Sequence, residues 1–192
     1  MNNAEENTPM LKIIAGRHKG RTFTVPSTSE TLRPTLGRVR QRIFDLLGPF
    51  PSSSWVMDGF SGTGALGLEA LSRGAAFVVF VEKDPLEVQR LRKRLAAWQE
   101  TSCALVVASD FFIYPGPEHP IDIVFLDPPY RKDMFRRLLK HLSRALWTTS
   151  KTRVVLELAR DEKVTLPPEW ILLKERVVGP SHLLILQKKQ EE

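Results

Sequence analysis

Apolar and polar residues alternate along most of the chain in a pattern that predicts strands and helices in turn. Runs rich in β-branched and aromatic residues are typical of buried strands, and the segments between them have the spacing of amphipathic helices. Strands that alternate with helices form parallel sheets, so we predict an α/β fold with a doubly wound, mostly parallel seven-stranded sheet that ends in an antiparallel pair. The predicted strands are 55–58, 77–82, 103–108, 121–126, 152–158, 170–178 and 182–187, with helices at 65–73, 85–99 and 131–146.

A smaller unit is predicted ahead of this sheet. Two β-prone runs, 11–15 and 21–25, flank a basic turn and predict a hairpin. A helix follows, with Thr35 as a candidate N-cap and its last turn near residue 47. The segment 48–54 is rich in proline and serine, as linkers are. We therefore predict a disordered tail at 1–10, a hairpin and helix at 11–48 and the main domain at 52–192.

Composition narrows the class of protein. The chain has 192 residues, 42% of them hydrophobic, which is enough for one domain with a substantial core. The only cysteine, Cys103, excludes an intramolecular disulfide, and its place at a predicted strand start indicates a core residue rather than a nucleophile. No apolar run approaches the ~18 residues that a membrane span needs. The histidines and the cysteine lack metal-ligand spacing. We expect a cytoplasmic protein with no metal and no membrane association.

Basic residues are concentrated near the N-terminus. Eight of them lie between Leu11 and Arg42 against the single acid Glu30, a local balance of +7 in a chain of net charge +6. A second basic cluster begins at Arg131. Such an excess favours a polyanion held through phosphate contacts, and the alternative is a merely solvated basic face. The predicted nucleic-acid contacts are Arg17, Lys19, Arg21, Arg33, Arg38, Arg40, Arg131 and Lys132.

A glycine-rich turn follows the first strand of the main domain. Gly62, Gly64 and Gly67 have the spacing G-x-G-x-x-G, and Glu82 ends the next strand 20 residues beyond Gly62. This pattern lets a nucleotide approach the backbone at a strand-to-helix turn and supplies a carboxylate for ribose hydroxyls. The glycines fit a nicotinamide cofactor and S-adenosylmethionine equally well. Asp58, at the end of the first strand, favours S-adenosylmethionine because its carboxylate can meet the amino-acid end of that ligand.

The motif Asp127-Pro128-Pro129-Tyr130 closes the strongest apolar run in the chain. An exocyclic base amine is a poor nucleophile because its lone pair is delocalised into the ring, so it must be held and oriented. Asp127 can accept one N–H, the Pro128 carbonyl can accept another, and Tyr130 can stack on the base. Pro129 fixes the extended backbone that presents the Pro128 carbonyl. The alternative is a simple turn after a strand.

Four blocks, at 33–40, 58–75, 81–84 and 127–130, together resemble the bacterial 16S ribosomal RNA (guanine-966-N2)-methyltransferase family. The resemblance covers about Leu11 to Gln187. It implies a Rossmann-like class I methyltransferase, S-adenosylmethionine as the donor, and a guanine amine in small-subunit RNA or an assembling 30S subunit as the acceptor. Asp110 follows the third strand of the main domain, where its carboxylate can accept from an adenine amino group with Phe111 beside the ring. From these patterns and the resemblance together, the predicted cofactor residues are Asp58, Phe60, Gly62, Gly64, Glu82, Lys83, Asp110 and Phe111, and the predicted catalytic residues are Asp127, Pro128, Pro129 and Tyr130.

Three other interpretations share parts of the pattern. A DNA adenine-N6 methyltransferase uses the same Asp-Pro-Pro-Tyr chemistry, but this chain has little room for a separate target-recognition domain. A nicotinamide oxidoreductase leaves that motif unexplained. A non-catalytic RNA-binding module needs the basic N-terminus but not Asp58, Glu82 and Asp127 at successive strand ends. We expect the enzyme to act as a monomer.

Overall fold

The structure, a computed structural model, describes residues 10–25, 33–129 and 133–190, with side chains in the first helix from residue 37 onward. It confirms the predicted order of strands and helices in the main domain. Strands β1 and β2 form the N-terminal hairpin, and helix α1 follows it. The elements are β1 Met10–Lys12, β2 Thr22–Thr24, α1 Arg33–Leu47, β3 Trp55–Asp58, α2 Ala65–Ser72, β4 Phe77–Glu82, α3 Pro85–Ala97, β5 Ala104–Ala108, β6 Ile123–Leu126, α4 Met134–Arg144, β7 Arg153–Ala159, β8 Trp170–Val178 and β9 Ser181–Lys188.

The seven strands of the main sheet lie in the order β5-β4-β3-β6-β7-β9-β8. The first five strands of this order, β5-β4-β3-β6-β7, pair in parallel, whereas β9 pairs antiparallel with both β7 and β8. The order reverses beside β3, because β4 lies on one side of it and β6 on the other. In open α/β sheets the crevice outside the carboxyl ends of strands at such a reversal binds ligands. The topology therefore places the functional site beyond Asp58 and Leu126.

Two hydrophobic cores cover the two faces of the sheet, as a doubly wound fold requires. Alternate strand residues point to opposite faces, so Val56 and Phe125 enter one core while Met57 and Leu126 enter the other. Helices α1, α2 and α3 pack on the first face. Helix α4 and the loop around Phe111 pack on the second.

The N-terminal hairpin and α1 share the first of these cores with the main sheet. A buried carboxylate adds a polar link: Glu69 of α2 accepts hydrogen bonds from the backbone N–H groups of Ile14 (2.8 Å) and Ala15 (3.0 Å). Glu69 also pairs with Arg73 (2.9 Å) and Arg40 (3.6 Å). The predicted linker 48–54 thus connects two regions that also contact each other directly. Hydrophobic and polar contacts join the hairpin and α1 to the main domain.

The structure differs from the sequence-based predictions at three places. Helix α1 begins at Arg33, so Thr35 lies inside the helix rather than at its N-cap. Cys103 belongs to a short 3₁₀ turn, Thr101–Cys103, and is half-buried against the first core instead of lying within β5. Met10, predicted in the tail, pairs with Thr24, while the rest of the tail lies outside the described residues. Among the helices that the structure describes, none has the length and apolarity needed to cross a bilayer.

Candidate active site

A cavity of about 540 Å³ opens at the carboxyl ends of the central strands. The residues after β3, β4, β5 and β6 supply most of its wall, because parallel strands end at one edge of the sheet. Helix α1 and the β8–β9 turn close it from the side. The lining residues are Val39, Gly59, Phe60, Gly62, Val81, Glu82, Lys83, Ser109, Asp110, Phe111, Asp127, Pro128, Pro129, Glu157, Pro180 and Ser181.

The glycine turn brings the backbone between β3 and α2 close to its neighbours. Gly64 has φ +78°, and a Cβ there would lie 2.6 Å from a methyl carbon of Leu91. At Gly67 a Cβ would lie 2.2 Å from the ring of Phe80, so only glycine lets α2 approach β4 this closely.

Two carboxylates at strand ends hold this turn. Asp58 Oδ2 accepts the Gly67 N–H at 2.9 Å, and Glu82 Oε2 accepts the Gly62 N–H at 2.7 Å. Glu82 Oε1 also accepts the Asp84 N–H at 2.8 Å. A carboxylate has about four lone-pair sites, so Glu82 retains acceptor capacity toward the cavity. Asp58 is 3% exposed, and burial raises its pKa to about 7.

Aromatic residues form the wall beyond β5. The rings of Phe60 and Phe111 lie 5.1 Å apart, and Asp110 Oδ1 accepts the Phe112 N–H at 2.8 Å, which fixes this loop. Gly59 leaves room for the Phe111 ring, because a Cβ at Gly59 would lie 2.7 Å from it. The structure therefore brings Phe60, Glu82 and the Asp110–Phe111 pair to one cavity. Asp58 lines a second, smaller cavity, which shares Phe60 and Asp127 with the first.

Asp127, Pro128 and Pro129 line the same cavity directly after β6. Asp127 is an exposed residue whose side chain faces this cavity. Desolvation, together with the negative charges of Glu157 and Asp58, raises its pKa well above the ordinary aspartate value. Tyr130, the fourth residue of the motif, lies outside the described residues, as do Arg131 and Lys132.

Glu157 and Ser181 line the cavity but were not among the predicted site residues. Glu157, near the carboxyl end of β7, is 7% exposed, and its Oε1 accepts the Ser181 hydroxyl at 2.5 Å. Burial raises the pKa of Glu157, and this hydrogen bond opposes the rise. The available sequence signal was a lone acid within the apolar run 153–159. No sequence pattern pointed to Ser181, because only the pairing of β7 with β9 brings it to Glu157.

The predicted nucleic-acid residues separate into two groups. Lys19, Arg21 and Arg38 are exposed. Arg17 is also exposed, and its guanidinium forms an ion pair with Glu100 at 2.6 Å. Arg40 is different: it is 4% exposed, and its guanidinium faces Glu69 and the Lys12 carbonyl. Its prediction as a nucleic-acid contact is wrong, because it forms a buried ion pair. The side chain of Arg33 lies outside the described residues.

The strand order, the reversal beside β3 and the glycine turn define a Rossmann-like methyltransferase fold, and solved structures similar to it are described as methyltransferases or methylases. The chain belongs to the family described as Conserved hypothetical protein 95, which matches residues 11–187. The match therefore spans nearly all of the N-terminal hairpin, α1 and the main sheet.

Named relatives agree with this assignment. The chain is 36% identical to Ribosomal RNA small subunit methyltransferase D of Haemophilus influenzae, over 88% of this chain and 89% of that protein. It is 33% identical to the protein of the same name in Escherichia coli K12, over 94% of this chain and 91% of that protein. A solved structure of the candidate methyltransferase yhhF from Escherichia coli has a TM-score of 0.83 and 32% identity, covering 95% of this chain and all of that one. The family resemblance of the sequence is thereby confirmed.

Proposed function

We propose that the protein transfers a methyl group from S-adenosylmethionine to the N2 amine of a guanine in small-subunit ribosomal RNA. The observation that carries this proposal is the meeting of two motifs in one cavity. Asp127 and Pro128 line the same space as the glycine turn and Glu82, although they are far apart in sequence. An amine-holding motif beside a nucleoside-binding turn is what methyl transfer to a base requires. The names of the relatives support the RNA substrate.

The residues present fit S-adenosylmethionine. Glu82 retains acceptor capacity for ribose hydroxyls. The half-buried Phe60 offers apolar surface for an adenine ring, the buried ring of Phe111 packs against Phe60, and Asp110 lies beside them. Asp58 lies under the turn, where its carboxylate can attract a ligand ammonium group. Lys83 lines the same wall. When bound, the cofactor supplies a sulfonium methyl: the N–C bond forms as the S–C bond breaks, and sulfur keeps the electron pair.

The protein's own contribution is alignment and a place for one proton. Asp127 and the carbonyl of Pro128 accept the two amine hydrogens and so orient the nitrogen lone pair. The target base must leave its stack to reach the cavity, which costs least in a loop or a partly assembled RNA. The raised pKa of Asp127 makes its carboxylate a stronger base than an ordinary aspartate, so it can take the proton that the methylated nitrogen releases.

The test of this function is methyl transfer followed by mass mapping. Small-subunit particles and free 16S RNA from cells lacking the protein are incubated with purified protein and S-adenosylmethionine labelled in its methyl group. We expect one N2-methylguanine to appear. DNA with exposed adenines serves as the comparison substrate, since an adenine-N6 enzyme would label it instead. Absence of label from both RNA substrates would refute the proposal.

Asp58 is expected to limit stability in exchange for ligand binding. Its native pKa of about 7 lies above the unfolded value of 3.8, so the free energy of unfolding falls as pH rises through this interval. Asp58→Asn removes that loss while its amide oxygen can still accept the Gly67 N–H. At pH 8, without ligand, the variant should be more stable by a few kcal/mol, and the gain should vanish near pH 4. Denaturant unfolding at both pH values measures this difference.

The same variant should bind S-adenosylmethionine at least about tenfold more weakly, because the charged acceptor is lost. Calorimetry with S-adenosylmethionine, its demethylated product and NAD measures the binding. Preferential binding of NAD by the unmodified protein would contradict the cofactor assignment.

The exposed basic residues are expected to supply RNA affinity. Arg38 lies on a groove of about 830 Å³ between the hairpin and α1, together with Lys12 and Arg42. Arg38→Ala should weaken RNA binding and reduce the slope of log affinity against log salt by about one, without lowering stability. Arg38→Lys is the matched control, because it keeps the charge and should keep the slope. An unchanged salt slope in Arg38→Ala would show that this face is merely solvated.

A further inference from the structure

Three neighbouring strands place carboxyl groups on the same face of the sheet at the cavity. Asp58 pairs in register with Phe125 on β6, and Phe125 pairs with Val155 on β7. Asp127 and Glu157 each lie two residues beyond those partners. Because side chains alternate between faces, all three carboxylates project to the side that α1 and α2 cover. Among the residues that the structure describes, no group of three or more such side chains could hold a metal ion.

Glu157 is a buried acid with unused acceptor capacity. Ser181, itself 2% exposed, donates its hydroxyl to one carboxylate oxygen and thereby fixes the side chain. Within the described parts of the chain, no cation pairs with Glu157 and no second donor lies within hydrogen-bonding distance of it. Leaving a buried carboxylate oxygen without a donor is costly, so the second oxygen of Glu157 favours a ligand that brings a donor. Glu157 lines the cavity that also contains Asp127.

The bases differ in what lies beside their exocyclic amine. In guanine the N2 amine adjoins N1–H, which is a second donor. In adenine and cytosine the amine adjoins a ring nitrogen that carries a lone pair and no hydrogen. Two neighbouring carboxylates therefore match the edge of guanine, whereas an ionised acceptor facing a ring lone pair repels the other two bases.

We propose that Glu157 accepts the N1–H of the target guanine while Asp127 accepts from its N2 amine, so that Glu157 makes the site specific for guanine. Ser181 is a positioning residue that holds Glu157. The inference rests on the proposed function, because it takes a base amine at Asp127 as given. It adds the recognition of the base to the alignment of its amine.

2-Aminopurine is the probe that isolates this contact. It keeps the amine of guanine at the same ring position, but its N1 has a lone pair in place of N–H, and it lacks the oxygen at position 6. Small-subunit particles are rebuilt with 16S RNA that carries either guanine or 2-aminopurine at the nucleotide identified by mass mapping. Single-turnover methyl transfer on the two particles gives a ratio of rates for each protein variant.

The unmodified protein should methylate guanine at least ~10²-fold faster than 2-aminopurine, because a site built to accept a hydrogen bond rejects an analogue that lacks the donor. Glu157→Gln should lower the ratio by at least about tenfold, since its amide can donate to N1 of 2-aminopurine and still accept from guanine. Glu157→Asp keeps the charge on a shorter side chain and should also lower the ratio, mainly through slower methylation of guanine. Glu118→Gln, the same change on an exposed loop residue, should leave the ratio unaltered.

The possible failures are distinguishable. If the unmodified protein labels no guanine, the proposed function itself fails. If it labels guanine, but the folded Glu157→Gln and Glu157→Asp variants keep its ratio, this inference alone is overturned. Effects of the missing oxygen at position 6 are common to all variants, so they cancel when the ratios of two variants are compared.

Discussion

Replacing Asp127 with alanine should slow methyl transfer by about 10²-fold or more, the largest loss of activity that we expect from a single substitution. The change removes an acceptor for the amine and the orientation that it imposes. Binding of S-adenosylmethionine should survive, because Glu82 and the glycine turn lie on the other side of the cavity. Single-turnover transfer to small-subunit particles, with RNA and cofactor saturating, is the measurement.

Asp127→Asn separates positioning from charge. An amide oxygen still accepts one N–H but takes up no proton, so a mild defect would indicate positioning and a severe one would indicate the carboxylate charge. The unmodified enzyme should lose activity as pH falls through the raised pKa of Asp127, and Asp127→Asn should lack this dependence.

Asp122→Asn is the matched control for these variants, because Asp122 lies at the opposite end of the same strand segment, where it accepts the Trp55 N–H. It should leave the rate and its pH dependence unchanged. A near-normal rate for Asp127→Ala would show that Asp-Pro-Pro is only the turn that follows β6.

Replacing Glu69 with alanine should destabilise the fold by about 3–5 kcal/mol, because the buried guanidinium of Arg40 would lose its carboxylate. The same substitution leaves the N–H groups of Ile14 and Ala15 without their acceptor. Urea unfolding at pH 7 measures the loss. The control is Asp45→Ala, which removes an exposed pair with Arg42 (3.4 Å) and should cost less than about 1 kcal/mol.

Glu69→Gln tests whether the charge or the hydrogen bonds matter more. The amide oxygen can keep one of the two backbone hydrogen bonds, but it leaves the charge of Arg40 uncompensated, so the loss should remain larger than that of Asp45→Ala. A loss equal to that of Asp45→Ala would mean that Glu69 does not join the N-terminal segment to the main sheet energetically.

The contact between the N-terminal segment and the main domain places basic residues near the active-site cavity. Val39 of α1 lines the active-site cavity, and the neighbouring Arg38 is exposed on the groove between the hairpin and α1. We propose that the segment 11–48 contacts RNA while it shares a core with the domain at 52–192. The position of this segment relative to the sheet depends on packing, since Leu11, Ile43 and Phe44 lie in the same hydrophobic core as the sheet.

The sequence alone determined the strands of the sheet, the edge of the sheet at which a ligand binds, and the acidic residues at four strand ends. Periodicity of two and of 3.6 is a local property, so β3, β4 and the central helices were predicted close to their observed bounds. Asp58, Glu82, Asp110 and Asp127 were assigned to one site because parallel strands end at the same edge. The glycine spacing required only local geometry, and Gly64 and Gly67 meet it.

Tertiary structure decided everything that depends on which distant residues meet. Arg38 and Arg40 are equivalent cations in the sequence, but the packing of α1 exposes the first and buries the second against Glu69. Glu157 joins the cavity because β7 pairs with β6, and Ser181 reaches it because β9 pairs antiparallel with β7. No local pattern encodes those pairings, since strand order is set by the free energy of burying both faces of the whole sheet.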